Sequence, residues 1–169
     1  MALFREMADV SVRPAVPGDE DAVTRIQVSA WRDVHEAALG DGVVDSLDTT
    51  VMRDRWADAI VSPPGPGFAV LVALDGPTIV GFAAVAPGQV LALEVAPDHQ
   101  RAGHGSRLLA AAVDRLRTDG ATEVVTWVLD DDTARERFLS SAGLGPDGTQ
   151  RTLATGVRDV VERRWSAAI

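Results

Sequence analysis

The sequence predicts an α/β fold, a mixed and mostly antiparallel sheet of about seven strands with helices flanking it. Three observations point to it. Apolar segments of strand length alternate with segments of helical period along the 169 residues. Three strand junctions, Asp75-Gly76-Pro77, Pro87-Gly88 and Thr155-Gly156, have the composition of tight reversals. The run Val124-Val125-Thr126-Trp127-Val128-Leu129 is almost continuously apolar, the pattern of a buried strand parallel to its neighbour.

Each element follows in order. Val10-Ser11-Val12-Arg13 is a short strand closed by Pro14. Gly18-Asp19-Glu20-Asp21 opens a helix that reaches Trp31, with acidic residues at its positive end. A second helical region covers 43–60, with Asp48 or Thr49 as an internal cap. Ser62-Pro63-Pro64-Gly65-Pro66-Gly67 cannot continue a helix and is a loop. A domain linker there would leave strand 10–13 without a sheet, so 1–169 reads as one domain. Strands at 68–74 and 78–85 form a hairpin, and a third runs from 90 to 96. The segment 103–119 is an amphipathic helix with the stripe Leu108, Leu109, Ala112, Val113 and Leu116, ended by Gly120. Thr133 and Glu136 form a capping-box pattern for a helix ending near Gly143. Segments 149–154 and 157–165 make a last antiparallel pair.

Composition removes several classes of function. Hydrophobic residues make up 46% and charged residues 24%, enough to bury a core and keep a polar surface. No apolar run approaches the ~20 residues a bilayer span needs, so no membrane partner is expected. Met1-Ala2-Leu3-Phe4-Arg5-Glu6 lacks the basic-then-apolar pattern of a secretory leader. Cysteine is absent, which excludes disulfides and a thiol nucleophile, and a cytoplasmic location is the expectation. Net charge is −9 without a basic stripe, so nucleic acid is not an expected partner, whereas a cationic amine would be attracted. His35, His99 and His104 lack metal-ligand spacing, and no metal is expected.

The informative segment is Gln100-Arg101-Ala102-Gly103-His104-Gly105-Ser106, where a strand runs into a small-residue turn and a helix begins. The first N–H groups of that helix lack intrahelical partners and carry the positive end of its dipole. Residues as small as Ala102, Gly103 and Gly105 let a phosphate or pyrophosphate reach the backbone, and Arg101 and Arg107 add counter-charge. A Walker loop is excluded, since no Gly-Lys-Ser or Gly-Lys-Thr is present. The dinucleotide fingerprint fails because Leu108 stands at its third glycine. The pattern Q/R-x-x-G-x-G/A is met by Gln100, Gly103 and Gly105.

With that pattern the chain resembles the GCN5-related N-acetyltransferase (GNAT) family along nearly its whole length. Val12-Arg13-Pro14-Ala15 with Asp19 looks like the family's first strand and helix entry, and Trp31-Arg32-Asp33-Val34-His35 like its aromatic helix-to-helix segment. Asp132, Arg135, Leu139, Gly143 and Leu144 stand at the positions of its N-x-x-A-x-x-x-Y-x-x-x-G-F pattern. The resemblance implies a splayed parallel strand pair, 90–96 beside 123–129, that receives acetyl-CoA. Pantetheine would bond backbone groups from Leu93 to Val95, as an added strand would. Amides from Arg101 to Ser106 would hold the pyrophosphate beside Gln100, and Asp132 replaces an asparagine that contacts the cofactor. A primary amine of a small molecule or peptide would attack the thioester directly, and the resemblance also admits a homodimer.

Individual residues carry competing readings. Glu94 interrupts an apolar strand on the side of Val90 and Ala92, as a general base or as an exposed strand carboxylate. Gln89, where relatives often carry a glutamate, cannot take a proton. Trp31 and His35 are expected to line the acceptor pocket, His35 alternatively being an ordinary helix histidine. His99 is read as an exposed loop residue, and in His104 the backbone matters more than the ring. Asp130-Asp131-Asp132 is read as helix capping, not as a cation site. Leu139 replaces the tyrosine that in relatives protonates the leaving thiolate, and the chain contains no tyrosine at all. Two functions stay open, a slow N-acetyltransferase and a non-catalytic acyl-CoA-binding regulatory module.

Overall fold

A computed structural model describes residues 10–169. Residues 1–6, read above for a leader, lie outside the described residues. Among those described, seven strands form one mixed, mostly antiparallel sheet in the order β1-β2-β3-β4-β5-β7-β6, with helices flanking it. The strands are β1 (Val10–Pro14), β2 (Ala69–Asp75), β3 (Thr78–Ala86), β4 (Gln89–Val95), β5 (Glu123–Leu129), β6 (Gly145–Ala154) and β7 (Asp159–Ala168). The helices are α1 (Glu20–Ala30), α2 (Glu36–Leu39), α3 (Thr49–Val61), α4 (His104–Thr118) and α5 (Thr133–Ser141). No helix among the described residues is long and apolar enough to cross a membrane.

Each face of the sheet carries its own core. On one face α4 lays Leu108, Leu109, Ala112 and Leu116 against Leu93, Val124, Val128 and Trp165. On the other, Val23 and Ile26 of α1 meet Val72 and Phe82, and Trp56 of α3 packs edge-on against Phe82 at 5.1 Å. The Trp56 indole N–H donates to Gln27 Oε1 at 2.8 Å, tying α3 to α1. Arg13 and Asp19 close the first turn with a 2.7 Å ion pair, and that guanidinium holds the Asp19 carboxyl below its ordinary value.

The parallel pair is joined only at its start. Gln89 stands opposite Val125, the Val125 N–H donates to Gly88 O at 3.0 Å, and the Thr126 hydroxyl donates to Val90 O at 3.0 Å. Beyond that point β4 and β5 run on without a shared ladder, so each presents an open edge to the other.

Several elements depart from the sequence reading. Residues 41–46 are turns, not helix, because Gly40 and Gly42 adopt φ of +107° and +77°, which a helix cannot accommodate. Asp48 then caps α3, accepting from the N–H groups of Thr50 and Val51. The first helix does not simply end at Trp31: it continues through one widened π-type turn, Trp31–His35, into α2. The N-cap of α5 is Asp132, as the capping reading of the aspartate run expects, its Oδ1 accepting from Arg135 N–H at 3.0 Å, so that Thr133 is the first helical residue and not a capping-box N-cap. The last hairpin is longer than expected at its open end, with β6 starting at Gly145 and β7 reaching Ala168, while β7 begins at Asp159.

Candidate active site

Where β4 and β5 part, a cleft of about 330 Å³ opens through the sheet. Its walls come from both strands, from the α1–α2 segment, from α5 and from the β6–β7 hairpin. Of the residues anticipated from sequence, Trp31, His35, Leu93, Glu94, Asp132 and Leu139 line this one space. Trp31 and His35, four residues apart, lie on one helical face and reach the cleft together.

Glu94 shares a side with Ala92, as the sequence suggests, but not with Val90. Ala84 pairs with Ala92 and Val85 with Val90, which leaves Leu91 as an extra residue in β4. That bulge breaks the alternation. Val90 joins Leu93 in the α4 core, while Ala92 and Glu94 face the α1 side. Nor is Glu94 an exposed carboxylate, since its side chain is only 12% accessible. Arg135 Nη2 donates to Glu94 Oε2 at 3.0 Å, and Nη1 donates to the Leu93 carbonyl. On the other oxygen, His35 Nε2 stands 4.0 Å from Glu94 Oε1. Burial pushes His35 below the ordinary imidazole value, against the opposing pull of Glu94 and Asp132, so the ring is neutral at pH 7.

The glycine loop lies at the end of β4. Arg101 and Gly103 both have positive φ, +62° and +87°. Alternating left-handed residues with ordinary ones turns successive N–H groups into a shared concavity that suits an anion. Gly103 is the N-cap of α4 and has no side-chain capping bond. After Gln100, whose N–H donates to Pro97 O at 3.4 Å, the next backbone N–H of the loop and first turn with a carbonyl partner among the described residues is that of Arg107, on Gly103 at 3.1 Å. Ala102, His104, Gly105 and Ser106 complete the turn. The Gln100 side chain points back, donating to Val95 O at 3.3 Å. The open edge of β4 therefore has its Leu93 and Val95 carbonyls held by Arg135 and Gln100.

The remaining anticipated residues sort as follows. His104 is 2% exposed, and its Nδ1 has no partner among the described residues. His99 is half-buried instead of exposed, its ring 6.4 Å from that of His104. The three consecutive aspartates diverge: Asp130 pairs with Arg163 at 2.9 Å, Asp131 is left-handed, and Asp132 caps α5. Among the described residues no three His, Asp or Glu side chains gather as a metal site would require.

Sequence reasoning missed Arg135, Trp127 and Glu162, all of which line the cleft. Arg135 had a signal: it follows the cap Asp132 by three residues, and so projects from the same end of α5. Glu162 had only its alternation with Val160 in β7. Nothing local connects either to Glu94.

Comparison with known proteins bears on the family and the fold. The profile of the acetyltransferase (GNAT) family matches residues 28–144. A relative from Bacillus subtilis (strain 168), the uncharacterized N-acetyltransferase YuaI, is 25% identical over 131 residues, covering 72% of each chain. The mycothiol acetyltransferase of Renibacterium salmoninarum is 30% identical over 146 residues, or 80% of this chain. The chain spans only 40% of that relative's length. Among solved structures, the PaiA N-acetyltransferase of Thermoplasma acidophilum in complex with coenzyme A superposes with a TM-score of 0.80. It is 15% identical, and the match covers 95% of this chain and 99% of that one.

Proposed function

Because the chain belongs to the acetyltransferase (GNAT) family, we propose that it is an acetyl-CoA-dependent N-acetyltransferase acting on a primary amine. One observation carries the reading: a concavity of N–H groups around left-handed Arg101 and Gly103 sits at the end of the strand that forms one lip of the cleft. Amides from Arg101 to Ser106 receive the pyrophosphate there. The pantetheine arm follows the open edge of β4, where the N–H groups of Leu93 and Val95 face β5.

The amine nitrogen attacks the thioester carbonyl carbon, the C–S bond breaks, and the thiolate departs. The Val95 N–H is the donor placed to meet the oxyanion. Glu94 takes the proton from the attacking ammonium, directly or through a water, with neutral His35 within one water's reach behind it. Trp31 and His35 face the acceptor. Leu139 offers no proton to the thiolate, so water supplies it. The same leucine favours a second reading, an acyl-CoA-binding module without turnover.

Thiol release from acetyl-CoA in the presence of primary amines separates the two. Amine-dependent release is expected, and Glu94→Gln is expected to lower turnover by roughly 10²–10⁴ while acetyl-CoA affinity, read by calorimetry, holds. Binding without any amine-dependent release would establish the regulatory module instead.

A further inference from the structure

The side of the cleft that faces α1 and α2 is largely apolar, and its lining arginine, Arg135, is already paired. Trp31, Leu39, Leu91, Trp127, Leu129 and Leu153 line it. Two of these are large side chains that the core does not use, Leu91 at 55% and Leu153 at 39% exposure. Leu91 is the extra residue of the β4 bulge, so the same irregularity that aims Glu94 also pushes an aliphatic group out at the cleft rim.

The titratable side chains lining the cleft are neutral His35, Glu94, Asp132, Arg135 and Glu162. Arg135 is bonded to Glu94, and Asp132 is committed to the α5 cap. Glu162 accepts from Arg151 Nε at 2.6 Å, and that guanidinium lies 4.2 Å over the Trp127 ring. No unmatched cation remains among them to receive a carboxylate, whereas Glu94 Oε1 and the Asp132 oxygen that the cap does not use leave acceptors for cationic groups. A ligand carboxylate would be desolvated without a partner, which costs far more than a missing apolar contact.

The cleft is also shut on one side. The Thr155 hydroxyl, in the turn between β6 and β7, donates to Leu39 O at 3.0 Å, and Arg158 donates to Ala37 O. An acceptor is thus held by its end and not threaded through as a peptide chain would be.

We propose that the acceptor is a small primary amine carried on an aromatic or branched aliphatic group, without a carboxylate. This rests on the acetyltransferase reading above. The reaction converts R–NH3+ and acetyl-CoA into the N-acetyl amide, free CoA thiol and one proton, which leaves by way of Glu94.

The test uses the full chain with acetyl-CoA and four amines: phenethylamine, phenylalanine, spermidine and a short peptide with a free N-terminus. Phenethylamine is expected to exceed the other three in kcat/KM by about 10-fold or more, over phenylalanine because that carboxylate would lack a partner, and over spermidine and the peptide because one aryl group is buried. The comparison with phenylalanine isolates the carboxylate, and that with spermidine isolates the apolar group. Leu153→Asp is expected to lower kcat/KM for phenethylamine by about 10-fold, with acetyl-CoA affinity and melting temperature checked in parallel. Preference for spermidine, phenylalanine or the peptide overturns this inference and leaves acetyl transfer standing. Acetyl-CoA binding without thiol release for any amine overturns acetyl transfer itself, and the acceptor class with it.

Discussion

Leu139 forms part of the cleft wall at 3% exposure, in the same cluster as Leu109, Val128 and Leu144. It stands on α5 at the position where the resemblance places a proton donor, and its side chain only fills space. A CoA thiol has ordinary acidity, so its thiolate can depart near neutral pH without help, more slowly than with a positioned acid. Leu139→Tyr is therefore expected to raise amine-dependent thiol release by 10-fold or more, a part of the ~10²–10⁴ that a positioned acid contributes. The added ring costs about 1–3 kcal/mol if the wall does not yield, so melting temperature must accompany the rates. A folded variant with unchanged turnover would show that proton delivery to sulfur does not limit the reaction. Glu94 teaches a related lesson. Its chemistry was legible as a carboxylate beside the glycine loop, but its neighbours were not, because Arg135 and His35 reach it from 41 and 59 positions away in the chain, on other elements.

At the scale of elements, what could be read from sequence was whatever local chemistry dictates. The strands and α4 follow from apolar periodicity, and the glycine loop follows from residues adjacent in sequence. The bulge at Leu91 leaves no mark in composition, since Val90-Leu91-Ala92 suits an unbroken strand equally well. The helix assumed over 43–60 failed at its start because apolar Val43 and Val44 masked the left-handed glycines just before them. The hairpin wall of the cleft was invisible for a different reason: Leu153 and Glu162 come from strands that only the sheet order brings beside β5. The entry to α4 yields a clear expectation. Gly103 combines φ of +87° with the N-cap role, and a Cβ there would stand 3.0 Å from the movable Arg107 guanidinium. The cost of substitution thus falls on backbone conformation and ligand approach more than on packing. Gly103→Val is expected to weaken acetyl-CoA binding at least tenfold by calorimetry. An unchanged affinity would remove the pyrophosphate from this loop.

For the molecule as a whole, two buried imidazoles set a pH dependence. Burial holds both His35 and His104 below the ordinary value of 6.5. Around His35 stand Glu94 on β4, Asp132 and Arg135 on α5 and Glu162 on β7; His104 faces Asp75, Arg107 and His99. Below that ordinary value the unfolded chain binds protons that the folded chain refuses. Stability is therefore full above about 6.5 and falls with pH until each folded-state value is reached, by at most ~1.4 kcal/mol per pH unit for each ring. Urea midpoints between pH 7.5 and 5 are expected to decline, and His104→Leu is expected to flatten that decline. Equal slopes in the two proteins would assign the effect to other groups. The forked strands have a consequence of another kind. With β4 and β5 laced together only beside Gln89 and Val125, the two wings of the sheet are connected like a ladder whose upper rungs are missing. A ligand lying along the open edge of β4 supplies those rungs from outside the chain. Its binding energy then belongs to the architecture as much as to the reaction, and at a hundredfold excess over Kd it adds ~2.7 kcal/mol to the folded state.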